Sequence, residues 1–308
     1  MSLRHLLTLH EWSASEIQSL FQRAAAVKED PDRYHQSLAG KSLAMIFQKS
    51  STRTRVSFEV GMFELGGHAL FLSTRDMQLG RGETIADTAR VLSRYVDGIM
   101  ARTFAHQDVT DLARFASVPV INALTDDLHP CQALADFFTL SERFGDLAGR
   151  KIAYIGDGNN MARSLMFGAA KVGMSIAIAS PAGYEVEGEY LDLARRDAAE
   201  AGTEILLTRE PAEAADGASA VYTDVWASMG QEEEAKERMR AFQGFTVDEA
   251  LMARALPEAV FLHCLPCHRG EEVSAEVADG AQSLIFDEAE NRLHVQKAVL
   301  LALLSEPV

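Results

Sequence analysis

A short run of hydroxyl and basic side chains, residues 51–55, follows an apolar segment that ends at Phe47. Val56, Val60 and Phe63 come next at helical spacing, so the run is predicted to open a helix. Backbone N–H groups and the positive end of the dipole at a helix start bind phosphate oxygens, and Ser and Thr hydroxyls add donors. The pattern indicates an anion site, and the alternative is an ordinary helix cap beside solvated arginines.

Three further polar groups are expected at the same sheet edge. His129 and Gln132 flank Pro130 at the predicted start of another helix, where proline is well tolerated, so both would lie on one side of its first turn. A histidine there can donate to a carbonyl oxygen, and a glutamine can hold an amide-like NH2 group. Arg102 ends a predicted strand. Taken singly, each residue is also compatible with a helix cap or a surface cation.

The segment 152–160 has the pattern of a strand, a glycine turn and a helix start, which is how a dinucleotide-binding fingerprint begins. Met161 stands where the third glycine belongs, and Ser180 rather than an acid follows the next predicted strand. A nicotinamide site is therefore disfavoured. The turn instead presents Asn160 at a helix start, where an amide can bind a carboxylate.

Asp224 follows another predicted strand and begins a loop that reaches Gly230 through Ser228 and Met229. A carboxylate together with backbone N–H donors can hold both ends of an amino-acid zwitterion. The alternative is an aspartate that caps the next helix. The loop is thus a candidate amino-acid site.

A Cys-x-x-Cys segment, Cys264 to Cys267, lies between His263 and His268 and suggests a metal or redox role. A structural zinc site would need a second cysteine pair, which the chain lacks. A thioredoxin-like pair would open a helix, whereas this one follows a predicted strand and encloses Pro266. We predict no metal here, which leaves a buried structural cysteine or a substrate-facing thiol.

These candidates are positioned by strands that alternate with helices along nearly the whole chain. Strands separated by helices imply parallel sheets with right-handed crossovers, and hence an α/β fold. The amphipathic stretch 133–144, followed by a glycine-bounded turn, divides the chain into two halves, each a parallel sheet flanked by helices. The strands are predicted at 42–47, 69–73, 98–102, 119–123, 151–155, 175–179, 204–207, 220–223, 260–265 and 283–286.

Two domains follow from this pattern, residues 1–145 and 146–292. A final helix, 293–308, is expected to return to the first domain. The cleft between the domains is the default ligand site of such folds. Arg292 precedes the final helix and is expected to reach either the cleft or solvent.

The amino-acid composition restricts the kinds of partner that the protein is expected to bind. A formal net charge of −16 argues against nucleic acid and anionic lipid, because a polyanion site needs a basic face. No apolar run reaches the roughly 18 residues that cross a bilayer, and the start of the chain lacks the apolar core of a secretory signal. Three cysteines, an odd number, suggest no disulfide framework. We therefore expect a soluble cytoplasmic protein that acts on small molecules.

Taken together, these residues resemble the ornithine carbamoyltransferase family over nearly the full length. The Ser-Thr-Arg-Thr-Arg run at 51–55 and the His-Pro-x-Gln motif at 129–132 are similar to the carbamoyl-phosphate signature of carbamoyltransferases. The Asp-Val-Trp-Ala-Ser-Met-Gly loop at 224–230 and the His-Cys-Leu-Pro motif at 263–266 resemble the ornithine enzymes rather than the aspartate enzymes. The resemblance implies transfer of a carbamoyl group from carbamoyl phosphate to the δ-amine of ornithine, without a metal or an organic cofactor.

The resemblance also implies the site residues. Arg102, His129, Asp224 and Cys264 would take part in catalysis. Gln78 would reach the site of a neighbouring subunit in a homotrimer or a multiple of trimers. The carbamoyl phosphate ligands would be Ser51, Thr52, Arg53, Thr54, Gln78, Arg102, His129, Gln132, Cys264, Leu265 and Arg292. The ornithine ligands would be Asn160, Asp224, Ser228 and Met229.

Three alternatives stay open. The first is a carbamoyltransferase for a related amine, such as putrescine or an acylated ornithine. The second is a dinucleotide-dependent oxidoreductase, which would need the missing glycine and ribose-binding acid. The third is a catalytically silent regulator, which would be expected to have lost Arg102, His129 or the Cys264 loop, and all of these are present.

Overall fold

The computed structural model of the protein describes residues 3–77, 82–227 and 234–305. The chain forms two compact units: the first is Met1–Leu134 together with Glu290–Val308, and the second is Ala135–Ala289. Each unit contains one parallel sheet with helices between its strands. The predicted α/β class, with two parallel sheets flanked by helices, is therefore confirmed. The domain limits 1–145 and 146–292 stay a prediction, because compactness alone does not delimit a folding domain.

The first unit alternates strands and helices. Its elements are α1 (Ala14–Glu29), a 3₁₀ turn (Asp32–Tyr34), β1 (Ser42–Phe47), α2 (Thr52–Glu64), β2 (His68–Ser73), α3 (Ile85–Leu92), β3 (Gly98–Arg102), α4 (His106–Phe115), β4 (Val120–Leu124) and the start of α5 (Pro130–Phe144). The strand order is β2-β1-β3-β4, with every pair parallel. The inner strands β1 and β3 are apolar and almost wholly buried, as expected for strands covered on both faces, whereas the edge strand β2 is partly exposed.

The second unit repeats this plan. Its elements are β5 (Lys151–Ile155), α6 (Asn160–Val172), β6 (Ser175–Ala179), α7 (Glu189–Ala201), β7 (Ile205–Thr208), α8 (Pro211–Ala215), β8 (Ala220–Thr223), α9 (Ala235–Ala241), α10 (Glu249–Met252), β9 (Val260–Leu262), α11 (Ala275–Ala278) and the start of α12 (Ile285–Leu304). The strand order is β7-β6-β5-β8-β9, again parallel throughout. Apolar side chains of β5, β6, β8 and β9 pack with those of the surrounding helices into one core.

The strand order of each sheet reverses at one point, between β1 and β3 in the first sheet and between β5 and β8 in the second. Loops that leave two strands at such a point turn in opposite directions and open a crevice at the carboxyl edge, where α/β sheets bind ligands. Ser51 and Arg102 follow or end the strands at the first reversal, and Asn160 and Asp224 follow the strands at the second. Topology thus brings together the candidates that are far apart in sequence.

The strand predicted at 283–286 is wrong, and the one predicted at 260–265 is too long. Ser283 forms only an isolated bridge with Phe261, after which the backbone becomes helical and α12 begins at Ile285. The strand β9 ends at Leu262, and Leu265 has a left-handed backbone angle, φ 57°, that an extended strand does not accommodate. The last helix is therefore longer than predicted and starts earlier.

The helix predicted to open at residues 51–55 is confirmed as α2, but its apolar stripe does not face the core. Val56 and Phe63 are 52% and 74% exposed, whereas the buried positions include Thr54, Phe58 and Met62. Periodicity identifies a helix and its apolar face, but it does not say what covers that face.

Residues of α12 that belong to the first unit pack against its sheet. A Cβ at Gly98 in β3 would lie 2.7 Å from the Leu304 side chain, so Leu304 packs directly on the backbone of β3. Lys297 pairs with Glu64 at the end of α2.

Among the residues that the structure describes, no helix combines the length and the apolar character needed to cross a membrane.

Candidate active site

The start of α2 is capped by Ser51. This residue has an extended backbone, φ −163° and ψ 121°, and its Oγ accepts a hydrogen bond from Thr54 N at 3.2 Å. The cap that was the alternative to an anion site is therefore present. It satisfies one of the backbone donors, and a helix start has four such groups, so donors for an anion remain at this end of the helix.

Two basic residues close to this helix start have acidic partners of their own. Lys49 pairs with Asp126. Arg55 lies 3.4 Å from Glu59 and stacks over the ring of Phe71 at 3.9 Å. Besides Arg53 in the first turn of α2, positive charge for an anion therefore comes from residues distant in sequence.

Arg292 supplies part of that charge and joins two helix starts. Its Nη1 donates to Gln132 Oε1 at 2.9 Å, and its Nη2 donates to Thr54 Oγ1 at 3.1 Å. All three side chains are almost wholly buried. Arg292 therefore does not extend into solvent, because its guanidinium group spans α2 and α5, and a position in the cleft stays a prediction.

His129 is a neutral imidazole in this setting. It is 5% exposed and precedes Pro130, the first residue of α5. Burial lowers its pKa well below the usual value of 6.5, and the positive charges of Arg292 and Arg102 lower it further. A neutral histidine can donate one N–H to a carbonyl oxygen and adds no positive charge.

Arg102 is held where strands β1 and β3 end side by side. Arg102 lies opposite Phe47 in the parallel register, and the Arg102 carbonyl oxygen accepts from Gln48 N at 2.9 Å. The side chain is 8% exposed. The first unit thus gathers two buried guanidinium groups, a neutral imidazole, an amide and a capped helix start, a set suited to a phosphate next to a carbonyl group.

In the second unit, Asp224 lies just after β8 and accepts three hydrogen bonds from residues that the structure describes. Its Oδ2 accepts from Asn159 Nδ2 at 3.0 Å, and its Oδ1 accepts from Val225 N at 2.8 Å and from the thiol of Cys264 at 3.1 Å. Among the described donors the only backbone group belongs to the next residue, and the N-cap of the next described helix, α9, is Glu234, so Asp224 does not cap that helix. It is instead the point where the loops after β5, β8 and β9 meet.

Asn159, which the sequence interpretation missed, is the residue that links the glycine turn to Asp224. Its Oδ1 caps α6 by accepting from Met161 N at 2.8 Å and from Ala162 N at 3.3 Å. Asn160, the predicted residue, is the first residue of α6 and only partly buried. An asparagine directly before the periodic residues of a helix is the signal that identifies this cap.

Close packing explains the glycine at 158. A Cβ there would lie 2.5 Å from Val186 N, and Gly158 N donates to Tyr184 O at 2.7 Å. The second glycine of the turn therefore serves contact within the protein, and the segment is not evidence for a dinucleotide.

The thiol of Cys264 is a hydrogen-bond donor. Burial raises its pKa well above the usual value of 9.0, and the negative charges of Asp224 and Glu288 raise it further. The group therefore stays protonated at neutral pH and donates to Asp224 rather than acting as a thiolate.

The loop that carries Cys264 and Leu265 is held by fully buried His263 and two buried acids. His263 Nδ1 accepts from Leu265 N at 2.9 Å, so its Nε2 carries the hydrogen and donates to Glu272 at 3.2 Å. The backbone N of His263 donates to Glu288 at 2.9 Å. These bonds maintain the left-handed backbone of Leu265, which is unfavourable for a residue with a branched side chain.

Arg238 in α9 is a second residue that the sequence interpretation missed. It connects the turn after β5 with the loop after β8, which begins at Asp224. Its Nη1 donates to Asp157 Oδ2 at 2.6 Å and to Trp226 O at 2.9 Å. Its Nε lies 3.3 Å from Glu234 Oε2. Arg238 thus fixes the glycine turn and both described ends of the loop that begins at Asp224.

Three predicted ligands, Gln78, Ser228 and Met229, lie outside the described residues. The other predicted residues fall into two groups. The first unit brings together Ser51, Thr54, Arg102, His129, Gln132 and Arg292, with Thr52 and Arg53 in the first turn of α2; the second unit brings together Asp224, Cys264 and Leu265, with Asn160 at the adjacent start of α6.

Two family models match this chain. Residues 4–142 match the aspartate/ornithine carbamoyltransferase, carbamoyl-P binding domain. Residues 148–303 match the aspartate/ornithine carbamoyltransferase, Asp/Orn binding domain. Together the two models cover nearly the whole chain.

Similar proteins are ornithine carbamoyltransferases. That of Anoxybacillus flavithermus is 60% identical over 304 residues, which are 98% of this chain and 96% of the relative. That of Bacillus subtilis is 56% identical over 301 residues, 98% of this chain and 94% of the relative. Among solved structures, the ornithine carbamoyltransferase from Pyrococcus furiosus has a TM-score of 0.95 and 53% identity, covering 99% of this chain and 98% of that one.

Proposed function

Because this chain belongs to the aspartate/ornithine carbamoyltransferase family, we propose that it transfers the carbamoyl group of carbamoyl phosphate to the δ-amine of L-ornithine, giving L-citrulline and phosphate. The observation that carries the proposal is the convergence of Arg292 on Gln132 and Thr54, beside the neutral His129. This arrangement provides donors for a phosphate and for a neighbouring carbonyl oxygen within one unit.

The phosphate of carbamoyl phosphate binds at the start of α2. Ser51, Thr52, Arg53 and Thr54 supply hydroxyl, backbone and guanidinium donors, and Gln78 is a further ligand. The positive end of the helix dipole adds to their attraction for the anion. Phosphate then leaves with its charge already compensated.

The carbamoyl carbonyl lies against Arg102, Arg292 and the N–H of His129, and the Oε1 of Gln132 accepts from the NH2 group. Attack by an amine places negative charge on the carbonyl oxygen. Donors held ready for that charge stabilise it without reorganisation, and removing one such donor typically lowers kcat about 10²-fold to 10³-fold. A buried, neutral His129 meets this requirement, since it donates without needing a proton from solvent.

Ornithine binds at the second unit. Its α-ammonium group pairs with Asp224, and its carboxylate is held by Asn160, Ser228 and Met229. An acylated ornithine lacks the charged α-amine, and putrescine lacks the carboxylate, so each related amine would leave part of this site unused. The δ-amine lies near Cys264 and the carbonyl of Leu265.

The δ-amine must lose a proton before it reacts. A lysine-like amine has a pKa of about 10.4, so only about one molecule in a few thousand is neutral at pH 7. The Leu265 carbonyl accepts a hydrogen bond from the amine, and Cys264, protonated itself, orients Asp224 through its S–H. In the reaction the neutral amine forms a C–N bond and the C–O bond to phosphate breaks; phosphate takes one of the two amine protons, and the other stays as the N–H of the product.

We also propose that the active enzyme is a homotrimer or a multiple of trimers, in the cytoplasm. The exposed apolar residues of α2 and of the edge strand β2, namely Val56, Phe63, Leu70 and Phe71, support self-association. Gln78 would then serve a neighbouring subunit's site. Three free thiols suit a reducing compartment.

The test is product formation from carbamoyl phosphate and a panel of amines: ornithine, N-acetylornithine and putrescine. We expect citrulline and phosphate in equal amounts from ornithine, and far slower reaction of the other two. Asp224→Asn should damage ornithine use while carbamoyl phosphate still binds by isothermal titration. A different carbamoylated amine as the main product would contradict the substrate assignment, and no product from any amine would contradict the activity.

A further inference from the structure

A cluster of potential metal ligands lies just beyond the Cys264 loop. His268 Nδ1 is 3.7 Å from Glu271 Oε2 and 3.7 Å from Glu272 Oε2. The three ligand atoms all lie within 4.8 Å of one another. The residues come from one short segment between β9 and α11, so the loop itself sets their spacing.

Glu272 provides a second and independent observation. Its side chain is fully buried, and its Oε1 accepts from His263 Nε2 at 3.2 Å and from His268 N at 2.5 Å. Its Oε2 is also buried and accepts no hydrogen bond from any residue that the structure describes. A buried carboxylate oxygen without a donor is unfavourable, and a metal ion is one group that compensates it.

We propose that His268, Glu271 and Glu272 form a binding site for a divalent transition-metal ion such as Zn²⁺. Zinc lies about 2.0–2.2 Å from nitrogen and oxygen ligands, so its ligands stand about 3–4 Å apart, close to the spacing found here. One imidazole and two carboxylates suit zinc and its neighbours in the periodic table better than Mg²⁺ or Ca²⁺, which prefer oxygen ligands alone.

Solvent can reach the site from one side. The side chains of His268 and Glu271 are 52% and 44% exposed, whereas Glu272 forms the buried base. An ion can therefore enter by displacing water from the two outer ligands. Water would complete the coordination, as in sites with three protein ligands.

A second group of potential ligands, Asp224, His263 and Cys264, competes with this interpretation. Both ring nitrogens of His263 are already hydrogen-bonded, Nδ1 to Leu265 N and Nε2 to Glu272. An ion there would have to break one of these bonds and remove the proton from a thiol whose pKa is raised. The His268 group requires neither step, so it is the site expected to bind first.

The ordinary alternative is an ion pair in which a protonated His268 neutralises two carboxylates. Both interpretations use the same atoms, but only one predicts binding of a metal. The proposal does not depend on the carbamoyltransferase reaction, because its test measures metal binding to the whole protein and not turnover.

The experiment is isothermal titration of ZnCl2 into protein stripped of metal with a chelator. We expect one ion bound per chain. His268→Gln and Glu271→Gln should each weaken binding at least 10-fold. Cys264→Ser and Cys267→Ser should not, and they serve as controls for the thiols. Glu272 is left unchanged because it also supports His263.

Two outcomes would overturn the proposal. The first is the absence of any binding by the unaltered protein with a Kd below about 100 µM, which would leave only the ion pair. The second is binding that survives His268→Gln but is lost in Cys264→Ser, which would place the ion at the other group. Circular dichroism of each variant checks that a lost signal does not reflect unfolding.

Discussion

At the scale of single residues, the candidate carbamoyl phosphate site in the first unit depends on the guanidinium group of Arg292. Arg292 contacts Gln132 and Thr54 through different nitrogens, and a lysine has the same charge but cannot make both contacts. Replacing Arg292 by lysine therefore separates the effect of its positive charge from the effect of its two hydrogen bonds.

We expect Arg292→Lys to raise the Kd for carbamoyl phosphate about 10-fold or more, because one of the two contacts is lost. Isothermal titration with carbamoyl phosphate measures this change, and Lys28→Arg, a conservative change of a partly exposed cation, is the control. Unaltered affinity in Arg292→Lys would mean that the charge alone matters and that the two hydrogen bonds have no role in binding.

His129 gives a prediction about pH. Its pKa is lowered in the folded protein by burial and by Arg292 and Arg102. The unfolded chain therefore binds a proton below about pH 6.5 that the folded protein does not, and stability falls as pH decreases, by up to about 1.4 kcal/mol per pH unit for one such group. Above that pH the group contributes no pH dependence.

His129→Gln should therefore flatten the decrease in the free energy of unfolding between pH 6.5 and 5. Urea denaturation at several pH values measures it. His5, His106 and His294 also have lowered pKa values, so part of the slope should remain. An unchanged slope would show that His129 is protonated in the folded state.

At the scale of elements, the loops around Asp224 are joined by a helix that contains no predicted ligand. Arg238 in α9 binds Asp157 in the turn after β5 and Trp226 in the loop after β8. Each contact fixes a segment next to a proposed ornithine ligand, so α9 determines how well the two loops are ordered before the substrate arrives.

We expect Arg238→Met to raise the KM for ornithine about 10-fold or more and to leave the Kd for carbamoyl phosphate unchanged. The physical reason is that the loops must then be ordered at the expense of binding energy. Arg240→Met, on an exposed position of the same helix, is the matched control. Equal effects of the two variants would show that both weaken α9 in general, and that the contacts of Arg238 with Asp157 and Trp226 have no specific role.

At the scale of the whole molecule, the exposed apolar face of α2 and β2 is the feature that a single chain does not explain. Phe63 is 74% exposed on the outward side of α2. If that face joins subunits, a charge placed on it should separate them, because burying an unpaired charge is unfavourable.

If the protein is the proposed trimer, Phe63→Asp should convert it to a species of about one chain's mass, 33.7 kDa, in light scattering after size exclusion. Phe286→Asp, at a residue that is 67% exposed at the start of α12, is the control and should leave the assembly intact. A trimer that persists in Phe63→Asp would place the subunit contact elsewhere.

Much of this protein can be determined from its sequence because the relevant interactions are local. Apolar runs predicted β1, β3, β5, β6 and β8 at the bounds observed, and the hydroxyl-rich segment predicted the start of α2. A helix cap or a buried strand depends on neighbours a few residues away, which a linear pattern contains. The motifs at 51–55, 129–132, 224–230 and 263–266 likewise indicated the family.

Tertiary structure alone decided which of these residues meet. Strand order brings Asp224 next to Cys264 and Asn159, and α12 brings Arg292 to Thr54 across most of the chain. It also turned the apolar stripe of α2 outward and ended β9 early at the left-handed Leu265. Such outcomes depend on contacts between segments distant in sequence, for which periodicity and local propensity contain no information.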